Sequence, residues 1–220
     1  MFLGHWALGL AGKRLAPAVS LGTLFFAAQF ADLLWPTLVL AGVERFEIRP
    51  GLTAVTPLDF VSYPWSHSLL AMAGWGLLVA LGWRLARGRS ATFLAGATLA
   101  GLVVSHWLLD VVTHRPDLPL APGAEARVGL GLWASLPLSL AAELGLLAAG
   151  VVLYRRATVA RDRTGEWAFW SLVAFLVAIQ LANYFGPPPP SVTAVAISAQ
   201  ALWLVVLWGA WIDRHRVARA

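Results

Sequence analysis

The sequence predicts an all-α, polytopic integral membrane protein, built as one transmembrane domain over residues 1–220. It is a helical bundle of about six transmembrane helices plus a short N-terminal re-entrant or interfacial helix. Three observations predict this. The 220 residues are 59% hydrophobic and only 12% charged, where a soluble domain carries about 25% charged residues. Mean hydropathy is +0.72 over the whole length, more apolar surface than one aqueous core hides, so lipid must be part of the solvent. The apolar residues fall in runs of about 20 without the period-2 alternation of barrel strands.

The first apolar stretch, residues 2–12, is too short to span. The basic pair Lys13–Arg14 follows it, the reverse of a signal peptide. It is read as a short helix that turns back at Lys13–Arg14 against the first long helix, which raises His5 toward Asp32. Six longer runs follow, roughly Ala16–Val43, Ser66–Leu85, Ala91–Val112, Leu130–Tyr154, Trp167–Phe185 and Val192–Ile212. Arg84, Arg87 and Arg89 lie between the second and third. Arg155, Arg156, Arg161 and Arg163 lie between the fourth and fifth. Arg214, Arg216 and Arg219 follow the sixth. These clusters occupy alternate connections and so share one side, which basic loops mark as cytoplasmic, C-terminus included. The connections at 44–65, 113–129 and 186–191 are rich in Pro and Gly, and Pro187–Pro190 stops one helix before the next begins.

Composition removes several functions. With no Cys, there is no disulfide scaffold, thiolate zinc site, Cys nucleophile or iron–sulfur cluster. A net charge of +5 and a pI near 10.7 would suggest nucleic acid in a soluble protein. Here no basic stripe is interleaved with aromatics, so nucleic acid is not an expected partner and membrane lipids are. The twelve Trp are read mainly as interfacial-belt and packing residues.

Ionisable groups inside apolar helices are costly and point to function. Asp32 lies within LFFAAQFADLLWP, with Gln29 one turn before it. His67 opens the second run in YPWSHSLL, between Ser66 and Ser68. His106, Asp110 and His114 follow one another at i, i+4 and i+8, which predicts one stripe of one helix. Glu143 stands in the fourth run. His106 lies about 22 Å from the start of its helix at 1.5 Å per residue, and Asp32 is similarly deep in its own. Both reach the outer half of the bilayer, where His67 also lies and where His5 would join them.

Imidazole and carboxylate at one depth suit a divalent metal, Zn in first place and Mn or Fe as alternatives. The expected ligands are His5, Asp32, His67, His106 and Asp110. Gln29, Ser66, Ser68 and His114 are expected to support them. Asp32 or Glu143 is the expected catalytic base, and a metal-activated water the nucleophile. Asp59 and Asp117 are expected to be solvated or turn-forming, with Asp117 placed to cap the site, and His215 to be an ordinary member of a basic tail.

The chain resembles the bacterial membrane-bound metal-dependent hydrolase-like family. The resemblance covers about residues 4–122, and the helices over 130–212 are additional to it. That family has a His near the N-terminus, a P-D-x-D-H-P-like turn, an H-R-G-x-T-H-S segment and an S-H-x-x-x-D segment with a downstream Pro. The corresponding places read GHWALG with His5, ADLLWP with Asp32 and Pro36, YPWSHSLL with His67, and SHWLLD with His106 and Asp110. The pattern's second acid and following His fall at Leu34 and Trp35, and its first His of the third motif at Ser62, with Tyr63 and Pro64 in place of the Arg and Gly. The chain therefore offers fewer ligands, enough for one metal where relatives hold two. The resemblance implies a multi-pass inner-membrane protein that hydrolyses a phosphoester or lipid-like substrate. Three other readings of the same residues stand beside it: a proton- or cation-coupled transporter with a polar path from Asp32 toward Glu143, a bis-His haem protein using His67 and His106, and a non-catalytic protein with a vestigial site. Nothing in the sequence sets an oligomeric state.

Overall fold

In the computed structural model, which describes residues 1–219, helices dominate and three two-stranded ribbons cap the ends of the bundle. Five helical stretches are long and apolar enough to cross a membrane: Leu69–Ser90, Phe93–Thr113, Leu136–Ala157, Arg163–Phe185 and Val192–Arg214. A bent pair, α2 (Leu21–Ala28) and α3 (Phe30–Leu40), makes a sixth if counted as one span.

The N-terminal helix α1 (Phe2–Leu15) is folded back, but it does not lie on a surface. Leu3, Trp6 and Leu10 are fully enclosed, and the first long helix is not its main partner. It packs chiefly on α7 (Leu136–Ala157), then on α2 and on α6 (Phe93–Thr113). Small residues allow this. A Cβ on Gly150 of α7 would stand 2.6 Å from the Ala7 carbonyl oxygen, so only glycine lets the two backbones approach so closely. Gly22 makes a similar close crossing of α2 with α10 (Leu202–Arg214), its would-be Cβ 2.8 Å from the Val206 carbonyl.

Hydropathy expected three unbroken runs that are in fact broken. The first bends by 57° between α2 and α3 at Gln29. No proline stands there. Instead the Ala28 carbonyl accepts from His106 Nδ1 at 2.9 Å, so side-chain bonding replaces regular helix at the bend. The second run begins with a separate turn, α4 (Pro64–His67), before α5 (Leu69–Arg87), so His67 precedes the long helix instead of opening it. Ser68 is the break: its extended backbone and its hydroxyl, which accepts from Ala71 N, cap α5. The last run divides at Gln200–Ala201 into α9 (Val192–Ala199) and α10.

Side-chain caps fix three further starts: Thr92 for α6, Asp162 for α8 (Arg163–Phe185) and Ser191 for α9. The connections are more ordered than their Pro and Gly content suggests. β1 (Arg45–Ile48) and β2 (Leu58–Ser62) form an antiparallel hairpin, with Phe46 opposite Phe60 and Glu47 opposite Asp59. β3 (Leu118–Pro119) pairs with β4 (Arg127–Val128). At the opposite end β5 (Thr158–Ala160) pairs with β6 (Arg216–Ala218), tying the α7–α8 connection to the segment after α10.

Side-chain bonds fix the polarity of the bundle. Lys13, late in α1, reaches Asp213, late in α10, at 2.7 Å. Glu143, early in α7, accepts from Phe2 and Gly4 at the start of α1. The three arginine clusters therefore share one end, as their alternation predicts, and the polar residues of α1, α3, α4 and α6 gather toward the other.

Candidate metal centre

Four elements bring His5, Asp32, His67, His106 and Asp110 into one cluster. Their ligand atoms fall into two overlapping groups, His5–Asp32–His106 and His67–His106–Asp110, each with its atoms within 4.8 Å of one another. His106 belongs to both. His5 Nε2 lies 3.1 Å from Asp110 Oδ1, and His106 Nε2 lies 3.3 Å from Asp110 Oδ2 and 3.7 Å from Asp32 Oδ1. His67 Nε2 lies 3.5 Å from Asp32 Oδ1 and 3.9 Å from Asp110 Oδ2. The backbone nitrogen of Met1 also reaches Asp110 Oδ1.

Local structure explains each position. His106 and Asp110 are i, i+4 on α6, so one face presents both. Asp32 enters because the bend at Gln29 turns the start of α3 toward α6. His67 ends the short turn α4, which the Ser68 break holds apart from α5.

The cluster has a supporting layer. Gln29, its amide oriented to satisfy both neighbours, donates to Asp32 Oδ2 at 3.1 Å and accepts from Trp6 Nε1 at 2.8 Å. His106 Nδ1 donates to the Ala28 carbonyl, which leaves Nε2 with the lone pair that faces the carboxylates. His67 Nδ1 pairs with Ser66 Oγ at 2.7 Å, and Ser66 Oγ donates to Glu44 Oε2 at 2.6 Å. Glu44 also accepts from the backbone N–H of Trp65 and Ser66. Such imidazole–acceptor pairs fix ring orientation and tautomer in metal sites. Glu44 was not distinguished in the sequence. It sits among loop charges, and only the return of the β1–β2 hairpin brings it to α4.

The donor set could hold a metal ion. His106 Nε2 and His5 Nδ1 are buried without a hydrogen-bond partner, an arrangement that costs free energy unless something else satisfies the atom. Three imidazoles and two carboxylates form a nitrogen–oxygen set without sulfur. Asp32 is the open member, its side chain 28% exposed against 2% for Asp110.

Three expected members are elsewhere. Ser68 caps α5. Glu143 engages both oxygens on the first turn of α1, taking the Phe2 N–H at 3.0 Å and the Gly4 N–H at 3.1 Å, where a carboxylate complements the helix dipole. His114 leaves the His106–Asp110 stripe, because α6 ends at Thr113 and His114 is extended. Arg115 precedes Pro116, and pre-proline residues disfavour helix.

His114 instead joins a second cluster above the site. Its Nδ1 donates to Asp117 Oδ1 at 2.9 Å, Tyr63 donates to the same oxygen at 2.9 Å, and Trp133 packs on the ring. Arg115 bridges Asp117 and Asp59. Asp59 and Asp117 are thus buried and paired, not solvated. Burial holds the His114 imidazole below its usual pKa, against the pull of Asp117. Burial would raise Asp117, but its bonds from His114, Tyr63 and Arg115 bring it below the usual carboxylate range. Burial and the Asp117 charge push the Tyr63 phenol well up, so it stays a donor. His215 likewise has a partner, Asp162, at 2.8 Å.

No protein-family model, no curated protein and no solved structure matches this chain.

Proposed function

We propose that the chain is a membrane-embedded, metal-dependent hydrolase. Its arginine end faces the cytoplasm of a bacterial inner membrane, and its His/Asp centre lies near the outer face. The observation that carries this reading is the orphaned, buried Nε2 of His106, placed where two carboxylates and two further imidazoles converge. The resemblance of four motifs within residues 4–122 supports the same reading.

His5, His67, His106 and Asp110 would hold one divalent ion, Zn in preference to Mn or Fe. Such an ion supplies Lewis-acid polarisation of a phosphoryl oxygen and activation of water. Asp32 is the base. It is the carboxylate with an open edge, and Gln29 fixes one of its oxygens, which leaves the other to take a proton from the attacking water. The Glu44–Ser66 pair orients His67, and the Ala28 carbonyl orients His106. Glu143 organises α1 and so positions His5. The substrate is a phosphoester of lipid-like character that enters from the bilayer on the Asp32 side.

The test is metal content by mass spectrometry on detergent-purified protein, wild type beside His106→Ala and Asp110→Ala, with hydrolysis of lipid phosphoesters assayed in parallel. Near-stoichiometric metal in the wild type, lost in both variants, is expected. A wild type that takes up no metal even after reconstitution overturns the reading.

A further inference from the structure

At the arginine end, far from the His/Asp centre, α7, α8 and the segment after β6 border an open surface cavity of about 360 Å³. Val151, Val152 and Trp170 form its apolar wall, and Arg155, Arg156 and Arg219 its charged rim. We propose that this cavity binds the headgroup of an anionic phospholipid, with the phosphate among the arginines and the acyl chains along Val152 and Trp170.

The sequence of α7 sets the wall and rim in register. Val151 and Val152 lie one turn before Arg155 and Arg156, so apolar surface gives way to charge over about 6 Å along the helix. That is the change a phospholipid makes between glycerol and phosphate. Val152 and Trp170 are exposed and, in a membrane, would face lipid.

The rim is built. Arg216 is buried between Tyr154 and Phe169, and it bonds Thr158 Oγ1, the Gly165 carbonyl and Glu166 Oε2. It anchors β6 against β5. That ladder, with Arg219 N donating to the Ala157 carbonyl, places Arg219 beside α7. The local negative charge is already occupied. Glu166 pairs with both Arg155 and Arg216 and accepts from Trp170 Nε1. Among the described residues, Arg156 and Arg219 have no carboxylate partner; Arg219 gives its Nε to the Thr158 carbonyl at 3.4 Å, which leaves its terminal N–H groups and the Arg156 guanidinium for a phosphate. Arginine binds phosphate through parallel N–H donors, and basic pockets between transmembrane helices at the cytoplasmic face take acidic headgroups. A protein partner would leave the lipid-facing wall uncovered, whereas a phospholipid covers wall and rim together.

The experiment titrates the full chain in neutral detergent with phosphatidylglycerol and, separately, phosphatidylcholine. Bound lipid is read by native mass spectrometry. The paired variant Arg156→Gln/Arg219→Gln is expected to bind phosphatidylglycerol about tenfold or more weakly. Arg156→Lys/Arg219→Lys should recover most of the affinity. Arg87→Gln/Arg89→Gln, the same charge loss at another connection, should bind like wild type. Equal wild-type binding of phosphatidylcholine, equal loss in the Arg87/Arg89 control, or full displacement by inorganic phosphate overturns the proposal. If the Gln pair melts lower than wild type, the Lys pair decides: lipid kept there supports the site, and lipid lost there overturns it.

Discussion

His5 and His106 lie face to face, ring centroids 3.5 Å apart and 6° from parallel. One comes from α1 and the other from α6, and both Nε2 atoms point at Asp110, at 3.1 and 3.3 Å. The stack joins the N-terminal helix to the helix that carries the i, i+4 pair. It also separates ligation from packing, since a phenyl ring can replace one without the other.

His5→Phe should therefore keep the fold and weaken metal binding. In wild type, Zn at about a hundred times its Kd should stabilise the folded state by about 2.7 kcal/mol. For a chain of this size that is roughly 5–10 °C in Tm. His5→Phe should melt near the metal-free wild type and gain much less from added Zn. A full Zn-dependent shift in His5→Phe would remove His5 from the ligand set.

Glu44→Gln tests the supporting layer. Glu44 lies beyond Ser66 and touches no ligand, so metal should still bind, with about 10–100-fold lower affinity. Competition with a chromogenic chelator measures it. Unchanged affinity would reduce Glu44 to a cap on α4.

Gly150→Leu should separate α1 from α7. Even a Cβ meets the Ala7 carbonyl at 2.6 Å, and forcing added atoms into close packing costs about 1–3 kcal/mol. Because His5 rides on α1, Tm and metal content should fall together. A variant with wild-type Tm would show that the crossing can relax.

The cap above the site should make stability fall with acid in two stages. The His114 pKa is lower folded than unfolded, so the unfolded chain takes up the proton first. Its contribution is present above about pH 6.5 and fades as pH falls below that. The Asp117 pKa is also depressed, so its contribution persists to lower pH and fades below about pH 4. His114→Phe, which keeps the ring against Trp133, should flatten Tm between pH 7 and pH 5 and make the lower limb shallower, because it removes one of the bonds that depress Asp117. An unchanged slope across that interval would assign the acid sensitivity to other groups.

The residues of the cluster were legible because lipid makes ionisable side chains conspicuous. His5, Asp32, His67, His106 and Asp110 stand in apolar surroundings that a solvated residue does not need. The supporting layer was only half legible. Gln29 and Ser66 lie beside a ligand in the chain, but Glu44 reaches its place through a hairpin that hydropathy reads as loop. The bend at Gln29 and the break at Ser68 were hidden for a related reason: a hydropathy window registers transfer to lipid and is indifferent to where helical bonding is interrupted. His114 was misplaced because the i+8 offset was extended past the end of its helix. Glu143 kept the signal of a buried acid, but a backbone amide pair answers it as well as a catalytic role would.

The enclosure of α1 has a consequence for assembly. Its main neighbour, α7, comes more than a hundred residues later in the chain. Until α6 and α7 are in place, α1 has only α2 beside it, and Lys13 has the Val19 carbonyl but no carboxylate, since its partner Asp213 comes later still. The earliest of these helices thus acquires its main neighbour late. The cluster can close only once α6, which carries His106 and Asp110, has packed against α1.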